Sequence, residues 1–470
     1  MVPQFSNSQI DLARAQLVKT GIHRDLTDVL QSCDGKDLIG IIVPEMLERK
    51  NANLSKLSIE SQCALIAGRS QITSPTQLES KFRKAQTDGR KLNVKFGVDA
   101  TGRDLHLGHA VPMIMAGRLQ RMGHQLQIIV GDFTARIGDP SGRANTRAPL
   151  SEDKIRENVT KYTEQFALLF DVSTAHISYN SDWLNKMTLA DGFRLFSQMS
   201  LSSAIQREDF RERIKTGLPV SQAEILYANL MGVDSVQLNA DIELGGVDQT
   251  LNFHVCRTMM ELHGLEPEVL ITSPIIPGIS GNGQKMSKSL NNYISLLESE
   301  HEVFGKIMSI PDSLMEVYFK SLTEIHDAEW SILAERISKN SLNPRDVKAA
   351  IAATITAFIR GEAAAIDASQ AFANRFSARV YSLNNATCAL EIENNAQTVA
   401  SIIKASNLFR SSSEVRRLIE GGAVSAYSQD GEFLLKFRNN SDNLSGFKFP
   451  LLLKVGKLHL LKVEIKDPSN

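Results

Sequence analysis

Cysteine is scarce in this sequence: Cys33, Cys63, Cys256 and Cys388 are widely scattered, and no CxxC pair occurs. That argues against a disulfide framework and a structural zinc site, and points to a reducing interior. Long apolar runs are lacking too. The longest, "AAIAATITAFI" at 349–359, is too short to span a bilayer and lies between Lys348 and Arg360, so it reads as a core helix. The opening "MVPQFSNSQIDL" has no basic start before an apolar stretch, which argues against a secretory signal. Neither sign of charge is in excess. With a formal net charge of -1, no global field marks a nucleic-acid binder, which leaves a local basic region open. Internal repeats and low-complexity tracts do not stand out either. A cytoplasmic protein without a membrane span is the expectation.

What is present is ordinary in amount and informative in order. At 470 residues, 42% hydrophobic and 22% charged, the chain can bury a real core and is too long for one ordinary domain. Residues 1–60 read as helical pieces, with apolar positions at helical spacing in "LARAQLVKTGIHRDLTDVL", and carry no recognisable chemistry. "LNVKFGVD" (92–99) predicts a strand, "HAVPMIMAGRLQRMGH" a helix with Pro112 in its first turn, and "QLQIIVGD" (125–132) the next strand. Strand, crossover helix and strand make a parallel βαβ unit, whose ligands bind at the carboxyl ends of the strands. Helices follow at 151–170 and 189–215, and Ser221 with Glu224 forms a capping-box pattern that starts another. "ADIELGG" (240–246) and "EVLITSP" (268–274) return to strand, and helices dominate 302–376. The stretch 381–397 breaks that pattern and reads as a linker. From 399 two short helices precede strand-like runs such as "FPLLLKVGKLHLLKVEI".

Two elements carry chemistry. In "DLHLGHAV" (104–111), His106 and His109 are three apart around Leu-Gly, and metal ligation, acid/base work and contact with a charged ligand compete. A helical zinc pair needs histidines four apart with a Glu between, which this stretch lacks. Position favours an anion. The pair sits where a strand hands over to a helix amino terminus, whose dipole and unpaired N–H groups attract phosphate. Gly108 leaves the backbone open to a ligand there. The second element, "GQKMSKSLNNY" (283–293), holds Lys285 and Lys288 in a segment flanked by Gly281, Gly283 and an Asn pair, which reads as a mobile loop. It follows the strand "EVLITSP", so its cations fall near the same sheet edge. There they would stabilise departing pyrophosphate.

Together these elements resemble the class I aminoacyl-tRNA synthetases. The blocks "KFGVDATGRDLHLGH", "VGDFTARIGDPSGR", "NSDWL", "LYANLMGVDSV", "ELGGVDQTLN" and "KMSKSLNNYI" narrow the likeness to the bacterial tyrosyl-tRNA synthetases, in the branch with Lys before "FG". The likeness covers roughly residues 61–470 and implies an α/β fold: a Rossmann-type parallel-sheet catalytic domain with an inserted helical segment at 61–300, a helical domain at 301–380, a linker at 381–398 and a small α+β S4-type RNA-binding domain at 399–470. Residues 1–60 extend beyond the pattern. The resemblance gives His106, His109, Lys285 and Lys288 the catalytic roles. It sets ATP against Gly97, Asp99, Gly108, Gly245, Asp248, Met286 and Lys288. Asp139 and Tyr227 bind the substrate ammonium group, Asp234 the phenol hydroxyl, and Thr134 and Gln249 complete the amino-acid pocket. On this reading the protein takes ATP with Mg²⁺ as substrate, has no tightly bound cofactor or resident metal, and charges tRNA(Tyr) as a homodimer.

Three positions depart from the family pattern. Ala100 replaces a loop proline, Met231 a glutamine and Val233 a tyrosine. The glutamine is a ligand of the ammonium group, and a thioether accepts only weakly. A paralogue for a different or modified amino acid is therefore the alternative, and a non-catalytic RNA-binding homologue a third reading. The tail holds 11 Lys/Arg against 7 Asp/Glu over 399–470. That modest excess, with Arg410, Arg416 and Arg417 on the helix pair, makes RNA the candidate partner.

Overall fold

The computed structural model describes residues 6–139, 151–197, 199–205, 207–281, 283–288, 290–376, 383, 386–409, 411–456 and 459–466. By packing, the chain divides into two compact units, 1–365 and 366–470.

The first unit is built on a six-stranded sheet. Its strands are β1 (Gln71–Ile72), β2 (Asn93–Asp99), β3 (Gln125–Gly131), β4 (His176–Tyr179), β5 (Ile242–Gly246) and β6 (Val269–Ser273), in the order β1-β6-β5-β2-β3-β4. Every pairing is parallel except β1 with β6. From β2 the chain moves outward to β3 and β4, then returns to β5 on the other side of β2. The carboxyl ends of β2 and β5 therefore flank a topological switch point, where open α/β sheets bind ligands. The expected strands and the expected α/β class are all present.

Helix Leu107–Arg121 crosses from β2 to β3. It starts two residues before the expected point, so Pro112 sits in the second turn, not the first. His106 is the N-cap, and its reciprocal bonds with Gly108 and His109 begin the helix early enough to carry the proline inside it. Helix Gln222–Leu238 begins at the expected capping box: Ser221 Oγ accepts from the Glu224 N–H at 3.1 Å, and Glu224 Oε2 from the Ser221 N–H at 2.9 Å.

The helices within residues 1–60 belong to the first unit. Helix Leu38–Asn51 packs along Pro344–Arg360, and Thr27–Ser32 along Asp327–Ser338. A buried ion network joins them. Arg49, fully buried, pairs with Glu45 at 2.7 Å and with Glu329 at 2.7 Å. Its guanidinium also donates to the carbonyls of Arg24 and Glu324. Glu324 in turn holds Arg118 and Arg121, in the last turn of the helix that starts at His106.

The second unit is a five-stranded sheet: β7 (Cys388–Ile392), β8 (Val424–Tyr427), β9 (Phe433–Phe437), β10 (Leu451–Val455) and β11 (His459–Ile465), in the order β7-β11-β10-β8-β9. Helices Val399–Ala405 and Ser412–Glu420 cover one face, closing a core that includes Ile402, Ile403, Val415, Ile419, Leu453 and Val463. Part of the stretch expected as a linker is not one. Cys388–Ile392 pairs in parallel with β11, a partner more than 60 residues away that no local pattern announces. Arg416 and Arg417 lie on the exposed face of their helix, opposite buried Val415 and Ile419. Arg410 falls outside the described residues.

Removing Arg49 would leave Glu45 and Glu329 buried without their cation, at a cost of about 3–5 kcal/mol. Arg49→Ala should therefore lower the denaturant midpoint strongly, whereas Lys339→Ala, at an ion pair on the exposed surface, should change stability by no more than about 0.5 kcal/mol. Equal midpoints for the two variants would show that the N-terminal helices are not anchored by this network.

Candidate active site

Backbone pairing brings the two chemical motifs together across the sequence. The Leu107 N–H donates to the Ile294 carbonyl at 3.0 Å, and the Leu296 N–H to the Leu105 carbonyl at 2.8 Å. The segment after the lysine loop is thus laid against the start of the histidine helix. The loop itself is pinned by buried Asn292, whose Oδ1 accepts from the Ser287 N–H at 2.8 Å and whose Nδ2 donates to the Lys285 carbonyl at 3.2 Å.

Between these motifs and the carboxyl ends of β2 and β5 lies a cavity of about 700 Å³. Every residue expected in the catalytic, ATP and amino-acid sets lines it. The histidines, with Gly108 and the lysine loop, form one wall. Asp99 and Gly97 come from β2, and Gly245 from β5 with Asp248 and Gln249 just beyond it. Tyr227, Met231 and Asp234 share one face of helix Gln222–Leu238, at a spacing of four and then three residues.

The histidines are a cap before they are anything else. His106 Nδ1 accepts from the Gly108 N–H at 3.1 Å, and His109 Nδ1 accepts from the His106 N–H at 3.2 Å. Both Nδ1 atoms being acceptors, each neutral ring carries its proton on Nε2, where it can be donated. Burial, with the nearby cations, drives His106 down to about 2 and His109 to about 4, so both are neutral at pH 7. The two ring centroids lie 3.9 Å apart, with the planes tilted by 41°. Gly108 serves them as well: a Cβ there would press on the His106 ring at 2.9 Å, a closer constraint than ligand approach.

Lys288 reaches over the loop after β2, where its Nζ takes the space a Cβ on Gly102 would need. Lys285 pairs with Asp248 at 3.3 Å.

The side of the cavity expected to take the amino acid contains partners that the sequence did not reveal. Asp234 is buried, and accepts from Trp183 Nε1 at 2.8 Å and Asn180 Nδ2 at 3.3 Å. Burial pushes it up to about 7 against the pull of Lys95. Trp183 belongs to the "NSDWL" block, but that block gave no donor role. Lys95 is buried and held by Glu243 at 2.6 Å, Ser235 at 2.8 Å and the Met231 carbonyl at 3.2 Å. Ser235 also donates towards Glu268. Glu243, Glu268 and Cys256 lie within metal-ligating reach of one another, but the Lys95 ammonium is the cation paired with Glu243. Asp99 is turned to this side: Oδ1 accepts from Thr134 at 2.6 Å and Oδ2 from Tyr227 at 3.0 Å. Asp139 accepts from Gln249 at 2.7 Å.

Of the two substitutions on helix Gln222–Leu238, only Met231 lines the cavity. Val233 lies instead in a buried apolar cluster with Leu184, Leu195, Leu230 and Met259. The expectation that both alter the pocket is corrected, because residue 233 projects from a different side of the helix.

A family model described as "tRNA synthetases class I (W and Y)" matches residues 86–377. The tyrosine–tRNA ligase of Moorella thermoacetica is 38% identical over 365 residues, covering 78% of this chain and 87% of that relative. The chain belongs to the class I tyrosyl-tRNA synthetases. A second member of that family, the tyrosine–tRNA ligase of Carboxydothermus hydrogenoformans, is 37% identical over 403 residues, with 84% and 95% covered. Among solved structures, the C-terminally truncated mitochondrial tyrosyl-tRNA synthetase of Aspergillus nidulans superposes with a TM-score of 0.54 at 19% identity, covering 79% of this chain and all of that one. The tyrosyl-tRNA synthetase of Archaeoglobus fulgidus complexed with L-tyrosine gives 0.53 at 21% identity, covering 66% of this chain and 100% of that one. These structural likenesses bear on the fold. As a class I synthetase, the protein uses ATP as a substrate.

Nitrogen chemical shifts of the imidazoles would test the cap. His106 and His109 should show neutral rings protonated on Nε2, without a midpoint near the ordinary 6.5. Below that value the unfolded chain gains protons at these sites while the folded one does not. Their contribution to stability is therefore complete above 6.5 and declines as pH falls towards the folded values. A midpoint at 6.5 for either ring would exclude the reciprocal cap.

Proposed function

We propose that the cavity activates tyrosine with ATP and passes the tyrosyl group to tRNA(Tyr). The observation that carries the reading is the cavity's two ends. One holds a pair of neutral Nε2–H donors facing a lysine loop, and the other a buried carboxylate already oriented by Trp183 and Asn180. Tyrosine would lie between them with its hydroxyl at Asp234 and its ammonium group near Asp139 and Tyr227.

In the first step a substrate carboxylate oxygen attacks the α-phosphorus, and the bond to pyrophosphate breaks. His106 and His109 donate to the oxygens that gain charge, and Lys285 and Lys288 hold the leaving pyrophosphate. Asp248 accepts from the ribose hydroxyls, since its pair with Lys285 engages one of its two carboxylate oxygens. Mg²⁺ arrives with the nucleotide as part of that substrate. In the second step a ribose hydroxyl at the tRNA end attacks the activated carbonyl, and AMP leaves. Positioning and charge carry both steps, since no covalent enzyme intermediate is needed.

The second unit, with Arg416 and Arg417 exposed, is proposed as the RNA-binding part. A second copy of the chain is proposed to cover the apolar side chains Leu189, Phe193, Leu201 and Ile214, each more than half exposed. No helix among the described residues is long and apolar enough to cross a membrane.

Amino-acid-dependent ATP–pyrophosphate exchange across a panel of amino acids tests the reaction. Tyrosine should be activated and phenylalanine rejected by a factor on the order of 10⁴ in kcat/KM, because Asp234 and its donors would be left without the hydroxyl. Lys288→Ala should slow single-turnover adenylation by about 10²–10³-fold. Exchange driven by another amino acid but not by tyrosine would replace the reading with the paralogue.

The RNA-binding proposal has its own measurement. Replacing Arg416 and Arg417 together by Ala should weaken tRNA binding and reduce its salt dependence, each lost phosphate contact removing about 0.7–0.9 from the slope of log affinity against log salt. Pyrophosphate exchange should be unchanged. An unaltered slope would place the RNA elsewhere.

A further inference from the structure

Met231 leaves the ammonium end of the pocket with a problem that the rest of the cavity answers. It stands one turn beyond Tyr227 on the cavity-lining face, and its thioether is a poor acceptor for an N–H⁺ group. We propose that Asp99 supplies the missing acceptor, so that the substrate ammonium is held by the carboxylates of Asp99 and Asp139 with the Tyr227 hydroxyl. The inference rests on tyrosine being the substrate.

Three observations support it. First, the position is built. Asp99 is the last residue of β2, directly paired with Gly131 of β3. A Cβ on Gly131 would collide with both Asp99 Oδ1 and Thr134 Oγ1, so only glycine lets the carboxylate turn over β3 to meet that hydroxyl. Second, the hydrogen bonds are arranged for a cation. Thr134 and Tyr227 give their hydroxyl protons to Asp99, which aims the carboxylate and leaves the Tyr227 oxygen with lone pairs to accept. Third, among the described residues no cation is paired with Asp99. Its partners Thr134 and Tyr227 are neutral hydroxyls. Lys95, the buried cation nearest in sequence, is committed to Glu243. Burial, with the neighbouring charge of Asp139, raises Asp99 to about 7 against the pull of the two hydroxyl bonds. A buried carboxylate beside a second carboxylate is what an ammonium group stabilises.

Asp99 therefore belongs to amino-acid recognition rather than to ATP binding alone, and Met231 is tolerated because an acceptor stands across from it.

The test compares tyrosine with its desamino analogue, hydroxyphenylpropionate, by calorimetric titration of the full chain at a pH above the Asp99 value. Asp99→Asn should weaken tyrosine about ten- to a hundredfold, the usual loss for a hydrogen bond to a charged group. Binding of the analogue, which has no ammonium group, should not weaken. Adding Met231→Gln to Asp99→Asn should restore part of the tyrosine affinity. Equal weakening of both ligands would show a merely structural role and overturn the proposal, as would undiminished tyrosine binding. Failure of the tyrosine reading has a different signature: the unsubstituted protein would then bind neither ligand.

Discussion

Two backbone hydrogen bonds between residues 105–107 and 294–296 hold the active site together. Between the side chains of the two motifs, the rings of His106 and Tyr293 approach with centroids 6.0 Å apart. The histidines are committed to capping their own helix, and the lysines extend from a loop. By laying one chain segment along the other, these bonds bring the Nε2–H donors and the ammonium groups into one cavity. Asn292 then fixes the loop's backbone, so the lysine side chains are the parts left to follow a nucleotide. The division suits phosphoryl chemistry, in which prearranged dipoles contribute most when they need not reorganise.

The amino-acid half depends on a different kind of restraint. Under Asp234 lies a buried group of charges, Lys95 with Glu243 and Glu268, bridged by Ser235. Replacing such a group with apolar residues is often neutral for stability, so its presence is better understood through what it orients. Lys95 joins β2 to β5 across the switch point and holds the Met231 carbonyl. The strand edge, the helix and the pocket floor are thereby fixed relative to one another.

Local signals made much of this legible. The alternation of strand and helix in 92–132 announced a parallel sheet, and Ser221 with Glu224 announced a helix start, because both depend on near neighbours. The positions of His106, His109, Lys285 and Lys288 followed from motif order. Tertiary pairing stayed hidden. β7 needs β11 to be a strand, Asp234 needs Trp183 and Asn180 from another block, and Gly131 has meaning only opposite Asp99. Pro112 misled because a helix was assumed to begin near its proline, whereas the histidine cap starts it earlier. Val233 misled for the opposite reason. Its departure from the family pattern suggested a place in the pocket, but neighbouring residues on a helix project in different directions.

Helix Gln222–Leu238 also acts as a gauge. Tyr227 and Asp234 lie seven residues apart on one face, which at 1.5 Å per residue is a rise of about 10 Å. On the proposed reading, that interval separates the end of the cavity that takes the amino group from the end that takes the terminal hydroxyl. It is set by backbone hydrogen bonds, which neither stretch nor compress appreciably. A shorter side chain would leave its polar tip away from Asp234, and a longer one would lift its amino group off Tyr227. Inserting or deleting one residue between the two would rotate one contact by about 100° relative to the other and point it out of the cavity. On that reading the length of the substrate is written into the pitch of a helix.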